Sequence, residues 1–133
     1  MNEKQLQAKI VMAYSQDMFD FRGCLWSTRN TTFSVKDGQT QKAMGMVAGV
    51  SDLICFIEGH FIGIEVKVRG TSHSAKHLAK QLMWGETIIQ QGGHWCIVTS
   101  LEEFWDAVDR KTVPYNVAKV KEMLAENKST IKF

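Results

Sequence analysis

No apolar run in this sequence approaches the roughly 20 residues needed to span a bilayer. The opening residues Met1-Asn-Glu-Lys-Gln-Leu-Gln-Ala-Lys9 lack the apolar stretch of a signal peptide. The expectation is therefore a cytoplasmic protein with no membrane association. Cysteine is scarce: Cys24, Cys55 and Cys96 are odd in number, far apart, and each set in an apolar stretch. That pattern favours reduced core thiols over a disulfide framework or a structural zinc site. Net charge is also small, +2 at neutral pH. Composition alone therefore does not name a nucleic-acid partner, which requires clustered Lys and Arg. Internal repeats and low-complexity segments are absent as well.

What is present is enough apolar material for one core: 133 residues, 44% of them hydrophobic. The reading is a single domain over 1–133, with a core over 3–100 and C-terminal helices over 101–128. Leu6, Ile10, Ala13 and Tyr14 fall at helical spacing and predict an amphipathic helix over 2–17. Cys24 to Asn30 reads as a strand, and Ser34 to Gly49, with three glycines and no clean period, reads as a long loop. The runs Val50 to Ile57 and Phe61 to Val68, joined by Glu58-Gly59-His60, have the spacing of a β-hairpin. A helix over 75–91 presents Leu78, Leu82, Gly85 and Ile89 as its core stripe and stops at Gly92-Gly93. His94 to Thr99 is a strand, Ser100-Leu-Glu-Glu103 a capping box, and Pro114 precedes a last helix bearing Val117, Val120 and Leu124. The order is α-β-β-β-α-β-α-α.

The hairpin carries the chemistry. If it turns between Glu58 and Gly59, residues whose numbers sum to 117 face each other, which sets Asp52 across from Glu65. Opposed residues have Cβ atoms about 4.5–5.5 Å apart on one face. Two carboxylates then share one spot, and their repulsion must be offset by a cation or a proton. Strand alternation puts Lys67 on the same face, with Ile54, Phe56 and Phe61 as its apolar remainder. The Val66 side chain points away, but its main-chain carbonyl is placed to add a hard oxygen. Asp, Glu and carbonyl oxygens are what Mg²⁺ prefers. Phosphodiester hydrolysis needs such a cation to activate water and offset charge on phosphate, with Lys67 to orient the nucleophile or pair with phosphate.

The segments Gly49-Val-Ser-Asp52-Leu-Ile-Cys-Phe56, Ile64-Glu65-Val-Lys67, Gln81-Leu-Met-Trp84 and Gly92-Gly93 resemble the PD-(D/E)XK nuclease superfamily. Within it they are similar to the virus-type replication and repair nuclease (VRR-NUC) family. Ser51 stands where that family usually has proline, a position with no direct catalytic task. The resemblance implies a restriction-endonuclease-like α/β fold with a mixed central sheet and an α-β-β-β-α-β core. It also implies dependence on Mg²⁺ or Mn²⁺ and hydrolysis of DNA leaving a 5′ phosphate, commonly at four-way junctions or flaps. The setting it suggests is a bacterial or phage-infected cell. Glu3 would be an added metal ligand, although an acid at a helix start is also favoured by the dipole alone. Gln81 would contact the site water or phosphate, although a solvated glutamine would give the same pattern.

Other features are less specific. His73 and His77, four apart, read as surface or helix-cap residues on one helical face. Arg29, Lys42, Arg69, Lys76 and Lys80 flank the site in sequence and are candidates for phosphate contacts. The tryptophans 26, 84, 95 and 105 read as core or oligomer contacts, with base stacking as the minor alternative. A symmetric junction has two scissile strands, so a junction-resolving enzyme would be expected as a homodimer. The alternatives are a sequence-specific or single-strand nuclease of the same fold, a non-catalytic nucleic-acid-binding module, and an unrelated small α/β protein. The last would place Asp52 and Glu65 on opposite faces.

Overall fold

The computed structural model describes residues 1–28 and 34–133. Helix α1 (Glu3–Asp17) opens with a capping box, in which Gln5 N–H donates to Asn2 Oδ1 and Asn2 N–H donates to Gln5 Oε1. Leu6, Ile10 and Tyr14 form its buried stripe, as the spacing predicts. A 3₁₀ segment (Phe19–Cys24) leads into strand β1 (Leu25–Ser27), shorter than the expected 24–30. Arg29 and Asn30 lie outside the described residues.

The loop expected over 34–49 contains a helix, α2 (Val35–Ala43), capped where Ser34 Oγ accepts from Asp37 N–H. None of its side chains is buried, and Val35 is 82% exposed. A helix that covers no core has no reason to carry an apolar stripe, so periodicity could not show it.

Strands β2 (Leu53–Ile57) and β3 (His60–Val66) form the hairpin in the expected register, from Ile57 opposite His60 to Leu53 opposite Ile64. The turn is two residues, Glu58 at φ 50° and Gly59 at φ 80°, the paired positive angles of a type I′ turn. Helix α3 (Ala75–Gln90) ends in a Schellman motif: Gly93 N–H donates to the Ile88 carbonyl and Gly92 N–H to that of Ile89. Its buried stripe is Leu78, Gln81, Leu82 and Gly85. Ile89, expected on that stripe, sits in the last turn and is 43% exposed.

Strand β5 (His94–Val98) lies parallel to β3, giving a sheet of order β1-β2-β3-β5 with β3 to α3 to β5 as the crossover. Helix α4 (Leu101–Val108) is capped by Ser100 Oγ, which accepts from Glu103 N–H. The return bond of the expected capping box is displaced by one residue, because the Glu103 carboxylate accepts from Thr99 N–H and Oγ1. Helix α5 (Val117–Leu124) buries Val120. Two short strands that the sequence did not suggest, β4 (Ser72–Ser74) and β6 (Thr130–Lys132), pair antiparallel.

The sheet divides the interior. One face carries Leu53, Cys55, Ile62, Ile64, Val66, Cys96 and Val98 against α1 and α4. The other carries Trp95 and Ile97 against Leu78 and Leu82 of α3 and Val120 of α5. Burial pushes the thiols of Cys55 and Cys96 up to about 11 and about 12, so both are inert at neutral pH. All three cysteines are free. By strand alternation Gly63, Glu65 and Lys67 share the α3 face. Gly63 has to be glycine, since a Cβ there would lie 2.7 Å from the Trp84 ring and 2.9 Å from Ser51 Oγ. Phe56, expected on a buried face, is 47% exposed beside the turn.

Candidate active site

The register that sets Leu53 opposite Ile64 brings Asp52 to the open end of the hairpin, level with Glu65. Asp52 Oδ2 accepts the Val66 N–H at 2.9 Å, so the aspartate is fixed to the strand that carries the glutamate. From the other side, Thr28 N–H donates to the Asp52 carbonyl at 3.0 Å and Thr28 Oγ1 to the carbonyl of Ser51. Asp52 and Glu65 therefore lie on the same face of one sheet. Lys67 comes directly after β3, with its N–H donating to the Val98 carbonyl at 3.0 Å and the residue only 4% exposed.

Glu65 is fully buried, and neither carboxylate oxygen has a hydrogen-bond partner. Burial holds its carboxyl well above the usual carboxylate range; the Asp52 carboxylate raises it further, and Lys67 opposes both. Burial and mutual repulsion oppose ionising both carboxyls, and a bound cation would offset that. Gln81, on the inner face of α3, is 5% exposed with Oε1 unpartnered, which rules out a solvated glutamine. Ser51 Oγ is also buried without a partner. Unpartnered buried polar atoms are costly and rare. Here three of them are oxygens of Glu65 and Gln81, hard acceptors of the type a divalent cation and its waters require. Among the described residues no three His, Cys, Asp or Glu side chains converge to hold a metal ion by themselves. The carboxylate pair is thus the centre of the donor set.

A cleft of about 1190 Å³ opens onto this end of the sheet, lined by Glu3, Asp52, His77, Lys80 and Gln81 among others. One wall is the segment 46–50, held against α3 at Gly49. That residue has φ 82°, and a Cβ on it would lie 2.6 Å from the Lys80 carbonyl oxygen. Only glycine permits this approach. Glu3 lines the same cleft, and its Oε1 lies 3.4 Å from His73 Nε2. His73 is on β4, not on a helical face with His77; burial first and Lys67 second lower its pKa. Its Nε2 is also 2.9 Å from Thr71 Oγ1, which donates its own proton to the Val68 carbonyl. The sequence offered no sign of this contact, because it depends on β6 pairing with β4.

The basic candidates separate. Lys80 lines the cleft, and Lys4, distant from the site in sequence, joins it from the first turn of α1. Lys42 and Lys76 are exposed and are not among the cleft-lining residues. Arg69 lies elsewhere: its guanidinium bonds Glu103 at 3.2 Å and Thr99 at 3.1 Å in a separate surface depression. Arg29 lies outside the described residues.

A mixed sheet flanked by helices, with a polar cluster at the mouth of its central hairpin, defines a restriction-endonuclease-like α/β fold. Among solved structures the chain is similar to a VRR_NUC domain protein, with a TM-score of 0.66 and 17% sequence identity. The likeness covers 83% of this chain and 87% of that one. No family model matches the sequence, and no curated protein matches it. At this identity the likeness establishes the fold; chemistry has to be argued from the cleft.

Proposed function

We propose that the cleft is the active site of a divalent-metal-dependent nuclease of the PD-(D/E)XK type that hydrolyses DNA phosphodiester bonds. One observation carries this reading: the Glu65 carboxylate is wholly buried and unpartnered beside Asp52, two residues from buried Lys67. A structural ion pair would have satisfied those oxygens. The solved VRR_NUC domain structure of the same fold supports the reading.

Asp52 and Glu65 would hold Mg²⁺ or Mn²⁺, with the Val66 main-chain carbonyl as a third hard oxygen; Glu3, on the cleft wall but not converging with them, would act on the ion only through its waters. Such a cation, when bound, lowers the pKa of the attacking water and offsets charge developing on the phosphate. The chain's own groups do the rest. Lys67 supplies a fixed positive charge that orients the nucleophile and favours its hydroxide form. Gln81, its amide oxygen unpartnered, would accept a hydrogen bond from the attacking water and so aim it. Lys4 and Lys80 bind flanking phosphates, with Lys42 and Lys76 farther out. The product carries a 5′ phosphate.

The substrate we propose is branched DNA, a four-way junction or flap, cut by a homodimer whose two clefts serve two strands in the cytoplasm of a bacterial or phage-infected cell. The test is incubation of labelled four-way, flap, duplex and single-stranded DNA with Mg²⁺ or EDTA, alongside Lys67→Ala. Cleavage should require the metal, favour branched substrates, and fall by about 10²–10³ in Lys67→Ala. Metal-independent cleavage, or full activity in the variant, would sink the mechanism.

A further inference from the structure

Three of the four tryptophans are packed: Trp95 is buried, while Trp84 and Trp105 lie against the two cores. Trp26 is 43% exposed and lines the same cleft as Asp52 and Gln81. Its place is fixed by strand register. Trp26 pairs with Ile54, and the ladder continues one step to the bond from Thr28 N–H to the Asp52 carbonyl. Residues 26, 54 and 52 therefore share one face, with Trp26 and Asp52 as diagonal neighbours across β1 and β2, about 7–8 Å apart. Diagonal neighbours at that spacing are within reach of an aromatic side chain. The same cleft is lined by exposed apolar side chains, Met12 at 63% and Val47 at 51%, and by Lys4 and Lys80.

We infer that Trp26 is a stacking platform for an unpaired base adjacent to the phosphate at the carboxylate pair, and that it makes the cleft select DNA whose strand is unpaired at the cleavage site. This rests on the nuclease reading. An indole can stack only on a base whose face is open. Inside a continuous duplex both faces are covered by neighbouring bases; in a flap, a single strand or the branch of a junction they are not. The phosphate is drawn by the lysines and the adjoining base by the apolar wall, so a strand that parts from its complement satisfies both at once.

The experiment measures binding by fluorescence anisotropy to labelled duplex and to the same duplex with a single-stranded flap, with Ca²⁺ in place of Mg²⁺ to limit turnover. Stacking of one base predicts that Trp26→Ala weakens flap binding about tenfold, duplex binding less than about twofold, and that Trp26→Phe stays within about twofold of wild type on both. Tryptophan emission, quenched by flap DNA in the wild type, should lose that quenching in Trp26→Phe, which keeps an aromatic ring in the strand. Equal loss on both substrates, or loss on neither, overturns the inference and leaves the nuclease reading standing. Conversion of a dimer to monomer by Trp26→Ala, seen by light scattering, would assign the wall to a second copy and also overturn it. Failure of the wild-type protein to bind any DNA overturns both.

Discussion

At the scale of single residues, Glu65 sets the electrostatics of the cleft. Its folded-state carboxyl titrates well above the ordinary value of 4.5, chiefly through burial and secondarily through Asp52. The folded protein therefore binds more protons than the unfolded chain above that value. The resulting stability is fully present below about pH 4.5 and is lost as pH rises through the folded value. Urea denaturation in EDTA should show metal-free stability falling as pH rises above about 4.5, and Glu65→Gln should flatten the slope. A slope unchanged in Glu65→Gln would mean that another group carries the titration. His73 gives a second prediction. Its Nε2 lies 2.9 Å from Thr71 Oγ1 and 3.4 Å from Glu3 Oε1, which sets it beside Glu3 at the cleft wall. If Glu3 acts on the waters of the metal, His73→Ala should weaken Mn²⁺ binding by calorimetry about tenfold, and His73→Gln, which keeps an N–H donor, should restore most of it. Asp52, Glu65 and Lys67 were legible in the sequence because a two-residue turn propagates register without error. His73 was not, because its partners come from α1 and, through β6, from the far end of the chain.

At the scale of elements, legibility followed burial. The helices α1, α3 and α4 each line a core and carry a stripe that periodicity detects. Helix α2 lines none, and its only sequence sign is the cap Ser34-Val-Lys-Asp37. Strands β4 and β6 are three residues each, too short for alternation to register. Within α3 the buried stripe keeps Leu78, Leu82 and Gly85 but differs from the expected one at two residues. Gln81 is inside because the face it occupies closes over the carboxylates, whereas Ile89 lies in the final turn. What positions α3 is Gly85, where a Cβ would come within 2.4 Å of Trp95 Cδ2 on β5. The backbone of α3 can approach the sheet only without that atom. Gly85→Ala should therefore destabilise the fold by roughly 1–3 kcal/mol in denaturant titration, as overpacking does. It should also lower cleavage more than stability alone explains, by moving Gln81 and Lys80 off the sheet. An unperturbed melting temperature would show that Trp95 can yield.

At the scale of the whole molecule, the sheet is closed on one face by α1 and α4 and on the other by α3 and α5, and the cleft lies between α1, β1, the segment that leads into β2, and the first half of α3. The expected core order survives in this arrangement, since α2 and β4 are insertions that leave the register of the central strands untouched. Because the carboxylate pair is assembled only on folding, a divalent cation should bind the native chain and not the unfolded one. Its binding energy then adds to global stability as RT ln(1 + [L]/Kd), about 2.7 kcal/mol at a hundredfold excess over Kd. For a chain of this size that corresponds to a rise in melting temperature of about 10 °C. Calorimetric melting in EDTA against saturating Mg²⁺ or Mn²⁺ measures it directly, with no DNA present. Glu65→Gln and Asp52→Asn should each abolish the shift, since either leaves one charged ligand where two were needed. Lys67→Ala should keep it, because that variant loses the charge that orients the nucleophile and not a metal ligand. A melting temperature indifferent to the cation in the wild-type protein would remove the metal from the mechanism, whatever the outcome of the cleavage assay.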